Sequence, residues 1–231
     1  MTLFPTTRWA EILEQRSDPA RRRQLLGSLA QDYRGPLLVY ARCLGLDDPG
    51  AEDAVQGFLT SWLERDLASR LDPAKGRLRS YLRTALRRYL ADRHEHATAQ
   101  KRGGAAALTP ASLDDVEPFA VSPAESPERA YDRAFARSVL ARAFADLEAE
   151  FTSGRRAGPF AAVREAFAPE LAGASHAELA ARHAMTEPQL ASFLHRARGR
   201  FRELVRQQVR DLVAEPSQTD AELRSLLESL T

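Results

Sequence analysis

The sequence predicts an all-α fold of two small helical domains joined by a flexible linker, the second containing a helix-turn-helix. Three observations predict it. Apolar residues recur at helical spacing along the 231 residues, and no segment alternates apolar and polar residues as a half-buried strand would. Residues 103–127 are rich in Gly, Ala, Pro and Ser, which is typical of a linker. Residues 175–206 have the pattern of a helix, a tight turn and a longer helix.

The first domain is predicted over residues 1–102 and consists of helices separated by Gly and Pro breaks. Gly35-Pro36 lies inside the longest helical pattern and should kink or split that helix, because proline lacks the N–H of an intrahelical hydrogen bond. Asp47-Asp48-Pro49 is a typical helix start. The predicted helices cover residues 7–16, 20–44, 49–65 and 78–96.

The last helix of this domain is strongly basic. Nine cationic side chains and only two acidic ones lie between Lys75 and Arg102. Tyr81 and Tyr89 are interleaved with the arginines. Cations neutralise phosphates, and aromatic rings beside them suit the unstacked bases of a single strand. The two tyrosines fit equally well on the core face of the helix, so both roles stay open.

The second domain is predicted over residues 128–213 and is followed by a helical tail, residues 214–231. A long amphipathic helix begins near residue 127, and a shorter one covers about 158–167. The tail contains an amphipathic helix at 219–230, which is either a small packing helix or an inhibitory or partner-binding appendage.

The helix-turn-helix segment carries specific local signals. Thr186 can cap its second helix, and Gln189, three residues on, can complete a capping box. Ala184 lies in the turn, where a left-handed conformation costs a residue with a Cβ atom roughly 1 kcal/mol. Five arginines then follow in the second helix, with Glu203 as the only acid among them. An ordinary amphipathic hairpin with a solvated arginine face is the alternative interpretation.

Composition excludes several classes of protein. The single Cys43 excludes a disulfide framework and indicates a reducing compartment. No apolar run reaches the roughly 18 residues of a membrane span, and the N-terminus is too polar for a signal peptide. We therefore expect a cytoplasmic protein without membrane insertion. The sequence has no Gly-rich phosphate loop and no His, Cys or carboxylate pattern for a metal site, so we expect no enzyme activity, no metal and no cofactor.

Two basic elements on either side of an acidic linker form a bipartite nucleic-acid footprint, although the net charge is only +1. They lie within three segments: AEDAVQGFLTSWLER at 51–65, GRLRSYLRTALRRYLADR at 76–93 and ELAARHAMTEPQLASFLHRARGRFREL at 178–204. In order and spacing these segments resemble the sigma factors of bacterial RNA polymerase, in the compact extracytoplasmic-function form. The resemblance implies a region 2-like domain at 1–102 and a region 4-like domain at 128–213.

The resemblance implies core RNA polymerase as a partner. In the family, a helix with an Asp-x-x-Gln pattern docks on the clamp helices of the largest polymerase subunit. That pattern falls here on Asp53 and Gln56, and Phe58 and Leu59 lie beside them.

The basic helix and the loop before it match the family region for the promoter −10 element, where the DNA is melted and a base is flipped into a pocket. Tyr81 stands where the family commonly has Trp, so a role that depends on indole does not carry over. The implied contacts with melted promoter DNA are Lys75, Gly76, Arg77, Arg79, Tyr81, Arg83, Arg87 and Arg88.

The helix-turn-helix matches the module that recognises the −35 element as a duplex. Its second helix would lie in the major groove, where Arg contacts guanine and Gln contacts adenine. Phe193 stands where the family often has Arg and fits the apolar side of the helix instead. The implied contacts with duplex DNA are Thr186, Glu187, Gln189, Ser192, His195, Arg196, Arg198 and Arg200.

Two other functions stay open. A stand-alone helix-turn-helix regulator would need a dimer interface and would leave Asp53 and Gln56 without a role. A sigma-like adaptor or decoy would bind polymerase or a regulator but no promoter. Many members of the family that the chain resembles are held inactive by an anti-sigma protein, so that partner is open as well.

Overall fold

The structure is a computed structural model of the chain and describes residues 19–64, 77–101, 126–153, 160–167, 175–213 and 215–231. Three expectations lie outside these ranges. They are the helix at 7–16, the residues Lys75 and Gly76, and nearly all of the linker at 103–127.

The described residues form helices and no strand, which confirms the all-α class. None of the described helices has an apolar stretch long enough to cross a membrane. The elements are α1 (Pro19–Cys43), α2 (Asp48–Glu64), α3 (Leu78–Lys101), α4 (Pro127–Ser153), α5 (Phe160–Phe167), α6 (His176–Arg182), α7 (Glu187–Arg210), a 3-10 turn (Pro216–Gln218) and α8 (Thr219–Glu228).

Helix α1 continues through Pro36, so of the two expected outcomes, a kink or a split, the split is wrong. Tyr33, Leu37 and Tyr40, on either side of the proline, are almost completely buried. Their packing offsets the cost of a proline inside a helix, about 3 kcal/mol, because tertiary contacts outweigh one lost hydrogen bond.

A glycine turn sets the direction of α2. Gly45 has a φ of 95°, in the left-handed region, and the Leu46 N–H donates to the Ala41 carbonyl at 3.3 Å. Asp47 then caps α2, since its Oδ1 accepts a hydrogen bond from the Gly50 N–H at 3.0 Å.

The chain forms two compact units, and unit 1 comprises residues 1–138 and 211–231. Helices α1, α2 and α3 pack on one another around Trp62 and Leu86, both buried. Tyr131 and Phe135, from the first half of α4, are buried in the same core. The unit boundary thus falls within α4, whereas the sequence predicts a division at residue 128. The two differ because the first half of α4 packs its apolar residues into the core of unit 1.

Unit 2 comprises residues 139–210, that is, the second half of α4 with α5, α6 and α7. Its core is rich in phenylalanine. Phe151 contacts Phe193 with ring centroids 5.4 Å apart, and Phe144 contacts Phe160 at 5.4 Å and Phe201 at 6.2 Å. This aromatic cluster fixes α7 against α4 and leaves the other side of α7 exposed.

Candidate functional site

Helices α6 and α7 are joined by residues 183–186, and both begin with a capping box. At α6, the Glu178 N–H donates to the Ser175 Oγ at 3.2 Å, and the Ser175 N–H donates to the Glu178 carboxylate at 3.0 Å. At α7, the Thr186 N–H donates to the Gln189 Oε1 at 2.9 Å, and the Gln189 N–H donates to the Thr186 Oγ1 at 3.4 Å. The capping box predicted at Thr186 is confirmed.

The turn between the two helices depends on a left-handed residue. Ala184 has a φ of 52°, so the left-handed conformation predicted for it is confirmed. The turn closes with a hydrogen bond of 2.9 Å from the Met185 N–H to the Ala180 carbonyl. Leu179 and Ala180 are buried, which lets α6 approach α7 closely.

Helix α7 has a buried side and an exposed side. Leu190, Phe193, Leu194 and Ala197 are buried, so the assignment of Phe193 to the core is confirmed. The opposite side offers a carboxylate, an amide, a hydroxyl, an imidazole and a guanidinium group to solvent. These exposed residues are Glu187, Gln189, Ser192, His195 and Arg196.

Gln189 has a second role that limits its use in base recognition. Its Oε1 accepts the hydrogen bond of the capping box, which leaves the amide nitrogen as its outward donor. A two-point contact with adenine uses both atoms of the amide. Such a contact would therefore disrupt the cap of α7, and Ser192, His195 and Arg196 are better placed for base recognition.

Arg200 is held within unit 2. Its Nε and Nη2 donate to the two carboxylate oxygens of Glu150 at 2.8 and 2.7 Å, and its Nη1 donates to Glu203 at 2.7 Å. These bonds, first of all those to Glu150, raise the pKa of Arg200. Its side chain is only 30% exposed. Arg198, by contrast, is exposed and can reach a phosphate.

The arginines at the start of α3 are held by carboxylates of their own unit. Arg79 is 5% exposed and lies 3.2 Å from the Asp132 carboxylate and 3.1 Å from that of Glu222. Arg83 lies 3.4 Å from Asp132, and Arg77 lies 2.8 Å from Glu222. Of these three, only Arg79 is buried, whereas Arg77 keeps 46% of its side chain exposed while it contacts Glu222.

The outer part of α3 lines a pocket of about 230 Å³ against α2. Tyr81 and Arg88 are exposed there, and Tyr81 is one of the most exposed large apolar residues of the described chain, at 36%. Tyr89 supports the pocket by contacting Phe58, with ring centroids 5.8 Å apart. An open pocket with aromatic walls suits a planar ligand such as a nucleobase, and its lining carries one cation, Arg88, and one acid, Asp92.

Helix α2 presents two of the four residues expected to bind polymerase. Asp53 and Gln56 are exposed, whereas Phe58 and Leu59 are buried and cannot contact another protein directly. The Asp53 carboxylate accepts a hydrogen bond from Arg93 at 2.9 Å, which raises the pKa of Arg93. Asp53, on the exposed side of α2, is therefore linked to α3 through this ion pair.

The carboxylates that pair with the basic residues are not evident from the sequence. Asp132, Glu150 and Glu222 are each distant in sequence from the arginines that they contact. One signal pointed to Glu222: it is an acid within the apolar stripe of its helix, between the buried Thr219 and Leu226. An acid in that position needs a buried counter-ion.

A scan against protein-family models, a search of curated proteins and a search of solved structures each found no match to the chain.

Proposed function

We propose that this chain is a promoter-specificity subunit of bacterial RNA polymerase, similar to the extracytoplasmic-function sigma factors. It would bind core polymerase in the cytoplasm through α2, hold the melted −10 strand on α3 and recognise the −35 duplex with α7. In this proposal α6 and α7 are a helix-turn-helix, and units 1 and 2 contain the region 2-like and region 4-like parts.

The geometry of α6 and α7 carries the proposal. Two helices with capping boxes meet at a left-handed turn, and α7 buries its apolar side while it exposes Ser192, His195 and Arg196. A helix that projects such side chains into a major groove can donate to and accept from base edges, with Arg to guanine as the commonest specific contact. The exposed Arg198 adds a phosphate contact beside them.

Unit 1 adds features that a DNA-recognition module alone would not need. The pocket beside Tyr81 has aromatic walls on which unstacked bases can stack, and both Arg88 and Asp92 line it. Asp53 and Gln56 are polar and exposed on α2, with the resemblance as the reason to assign them to polymerase. Together these features favour a subunit that works on opened DNA within a larger complex.

Run-off transcription tests the proposal. Core polymerase freed of other sigma subunits is mixed with the chain and with genomic promoter fragments. We expect transcripts with a defined start and co-purification of chain and core enzyme. Gln56→Ala should weaken core binding without changing DNA binding, and Thr60→Ala, an exposed residue of the same helix, is the control. No transcript and no co-purification would refute the proposal.

A polymerase-binding adaptor that does not contact promoters is the second candidate. One observation favours it: Arg77, Arg79 and Arg83 are paired with carboxylates of their own unit. Co-purification with core enzyme in the absence of any transcript would identify this function. A tight dimer that binds duplex DNA without polymerase would instead identify a stand-alone regulator.

A further inference from the structure

The last helix of the chain, α8, covers part of the basic face of α3. Its buried residues are Thr219, Glu222 and Leu226. Glu222 is only 5% exposed, although it carries a charge. Glutamate is almost never buried to this extent without a partner of opposite charge. The contact therefore involves electrostatic pairing as well as apolar packing.

Glu222 contacts Arg79 of α3 and Arg77, which directly precedes that helix. Its Oε2 lies 2.8 Å from the Arg77 Nε, and its Oε1 lies 3.1 Å from the Arg79 Nε. Ser225 adds a third oxygen, which accepts hydrogen bonds from Arg77 at 2.8 Å and from Arg79 at 2.9 Å. Three oxygen atoms facing two guanidinium groups imitate the way in which phosphate oxygens engage arginine.

The pairing is incomplete. Within the described residues, Arg79 Nε and Glu222 Oε2 are buried and make no hydrogen bond of good geometry, so their short distances are ionic contacts only. Buried charged atoms without hydrogen bonds destabilise the state that contains them. An apolar residue at position 222 would pack α8 without that cost. The arrangement therefore suits a carboxylate that another anion can replace.

We propose that α8 is an intramolecular competitor of DNA. Glu222 and Ser225 occupy the two arginines that backbone phosphates of a single strand would contact, so α8 has to undock before the strand binds. This inference rests on the proposed function, because it assigns a regulatory element to the same basic face. The apparent dissociation constant is the intrinsic one divided by the fraction of molecules in which α8 is undocked.

Two full-length variants test the competition. Glu222→Gln removes the competing charge. Glu228→Gln is the matched control, because Glu228 is exposed on the same helix and both substitutions change the net charge equally. The probe is a fluorescent single-stranded oligonucleotide of mixed sequence, and binding is measured by anisotropy at several salt concentrations.

Glu222→Gln should bind this probe about fivefold more tightly than the wild type, which corresponds to roughly a fifth of wild-type molecules having α8 undocked. The slope of log K against log salt should steepen by about 0.7 to 1.4, since one or two further phosphates are contacted. Glu228→Gln should leave the affinity and the slope close to those of the wild type.

A third variant undocks α8 without changing any charge. Leu226 is buried, and Leu226→Asn weakens the apolar packing of α8 while Glu222 stays in place. We expect a gain in affinity like that of Glu222→Gln, together with faster hydrogen exchange of the α8 amides.

Two results would overturn the inference. The first is equal affinity of Glu222→Gln and Glu228→Gln for the probe. The second is loss of cooperative unfolding in both Glu222→Gln and Leu226→Asn, because unit 1 would then need a docked α8 in order to fold. Run-off transcription by the wild type separates the two proposals. Transcripts without an affinity difference refute only the competition, and an affinity difference without transcripts refutes only the role in initiation.

Discussion

The rings of Tyr33 and Phe135 stack with their centroids 4.8 Å apart and their planes 17° apart. Tyr33 lies on α1 and Phe135 on α4, and both are almost completely buried. The contact joins residues from opposite sides of the segment that the sequence marks as a linker. It follows that the first half of α4 contributes to the core of unit 1.

This division predicts that two substitutions on one helix affect different parts of the chain. Phe135→Ala should destabilise unit 1 by about 3 to 5 kcal/mol, because it leaves a cavity in a packed core. Phe151 is buried on the same helix but contacts Phe160 and Phe193 in unit 2, so Phe151→Ala is the matched variant. Hydrogen exchange should rise in α1 and α3 for the first variant, and in α5 and α7 for the second. A similar rise everywhere in both variants would mean that the chain unfolds as one unit.

The sequence predicted local features of the fold well and long-range ones poorly. The caps at Asp47 and Thr186 and the left-handed Ala184 depend on neighbours within a few residues, which the sequence displays directly. The partner of a helix face is not displayed, because periodicity identifies an apolar stripe but not what it contacts. The Tyr33–Phe135 stack could not be inferred for that reason, and the unit boundary within α4 was missed with it.

The left-handed turn predicts a stabilising substitution. Ala184→Gly should increase the free energy of unfolding by about 0.5 to 1 kcal/mol, because glycine adopts a φ near 52° without a Cβ clash. The larger entropy of glycine in the unfolded chain opposes this gain and is already included in the figure. Ala191→Gly is the control. Ala191 is exposed inside α7, where glycine should cost about 1 kcal/mol. Denaturant titration measures both, and equal destabilisation would mean that Ala184 is not left-handed in solution.

Close packing of α2 on α3 predicts coupling between two substitutions. A Cβ atom on Gly57 would lie 2.5 Å from the Tyr89 hydroxyl. Gly57→Ala should gain about 1 kcal/mol of helix stability and lose much of it by displacing that hydroxyl. In a Tyr89→Phe background the gain should be complete, so a double-mutant cycle gives a coupling of about 1 kcal/mol.

Gly199 provides the control for this cycle. It lies in α7 with nothing within 4 Å of an added Cβ atom, so Gly199→Ala should show the full gain in helix stability in either background. If Gly57→Ala gains as much as Gly199→Ala in the wild-type background, Tyr89 does not approach Gly57 in solution.

The burial of Tyr40 predicts a loss of stability at alkaline pH. Burial, together with the nearby Glu128, raises the pKa of Tyr40 from its ordinary value of 10.0 to about 12. A raised pKa in the folded state stabilises the fold below pH 10, and this contribution is lost as the pH rises from about 10 to about 12. The shift corresponds to roughly 2 to 3 kcal/mol. Unfolding free energies measured from pH 8 upward should therefore fall less steeply for Tyr40→Phe than for the wild type. Equal slopes would mean that Tyr40 is accessible to water.

Exposure decides which of the expected DNA contacts are available, and the sequence does not encode exposure directly. The family resemblance implied Arg79 and Arg200 as DNA contacts, but carboxylates on other helices pair with both. Arg196 and Arg198 were implied in the same way and are exposed. The difference lies in counter-ions that the fold brings together, which a linear count of charge cannot detect.

This contrast predicts opposite phenotypes for two arginines of α7. Arg196 is exposed on the side of Ser192 and His195, so Arg196→Ala should weaken duplex binding. If it contacts a phosphate, the slope of log K against log salt should fall by about 0.9. Stability should change little, because Arg196 lies on the exposed side of α7. Arg200→Ala should instead lower the free energy of unfolding by about 1 kcal/mol, because it removes the two hydrogen bonds that Glu150 accepts from Arg200 in a solvent-screened pair.

Both variants are measured on a duplex chosen from the fragments that give run-off transcripts, with unfolding followed in parallel by circular dichroism. The prediction requires that affinity and stability separate: Arg196→Ala loses the first and Arg200→Ala the second. If Arg200→Ala loses as much affinity as Arg196→Ala while keeping its stability, the guanidinium group of Arg200 leaves Glu150 to bind DNA. The contact with Glu150 is the most completely hydrogen-bonded of the pairs compared above. Such a result would therefore mean that phosphate can also displace the carboxylates of the weaker pairs from their arginines.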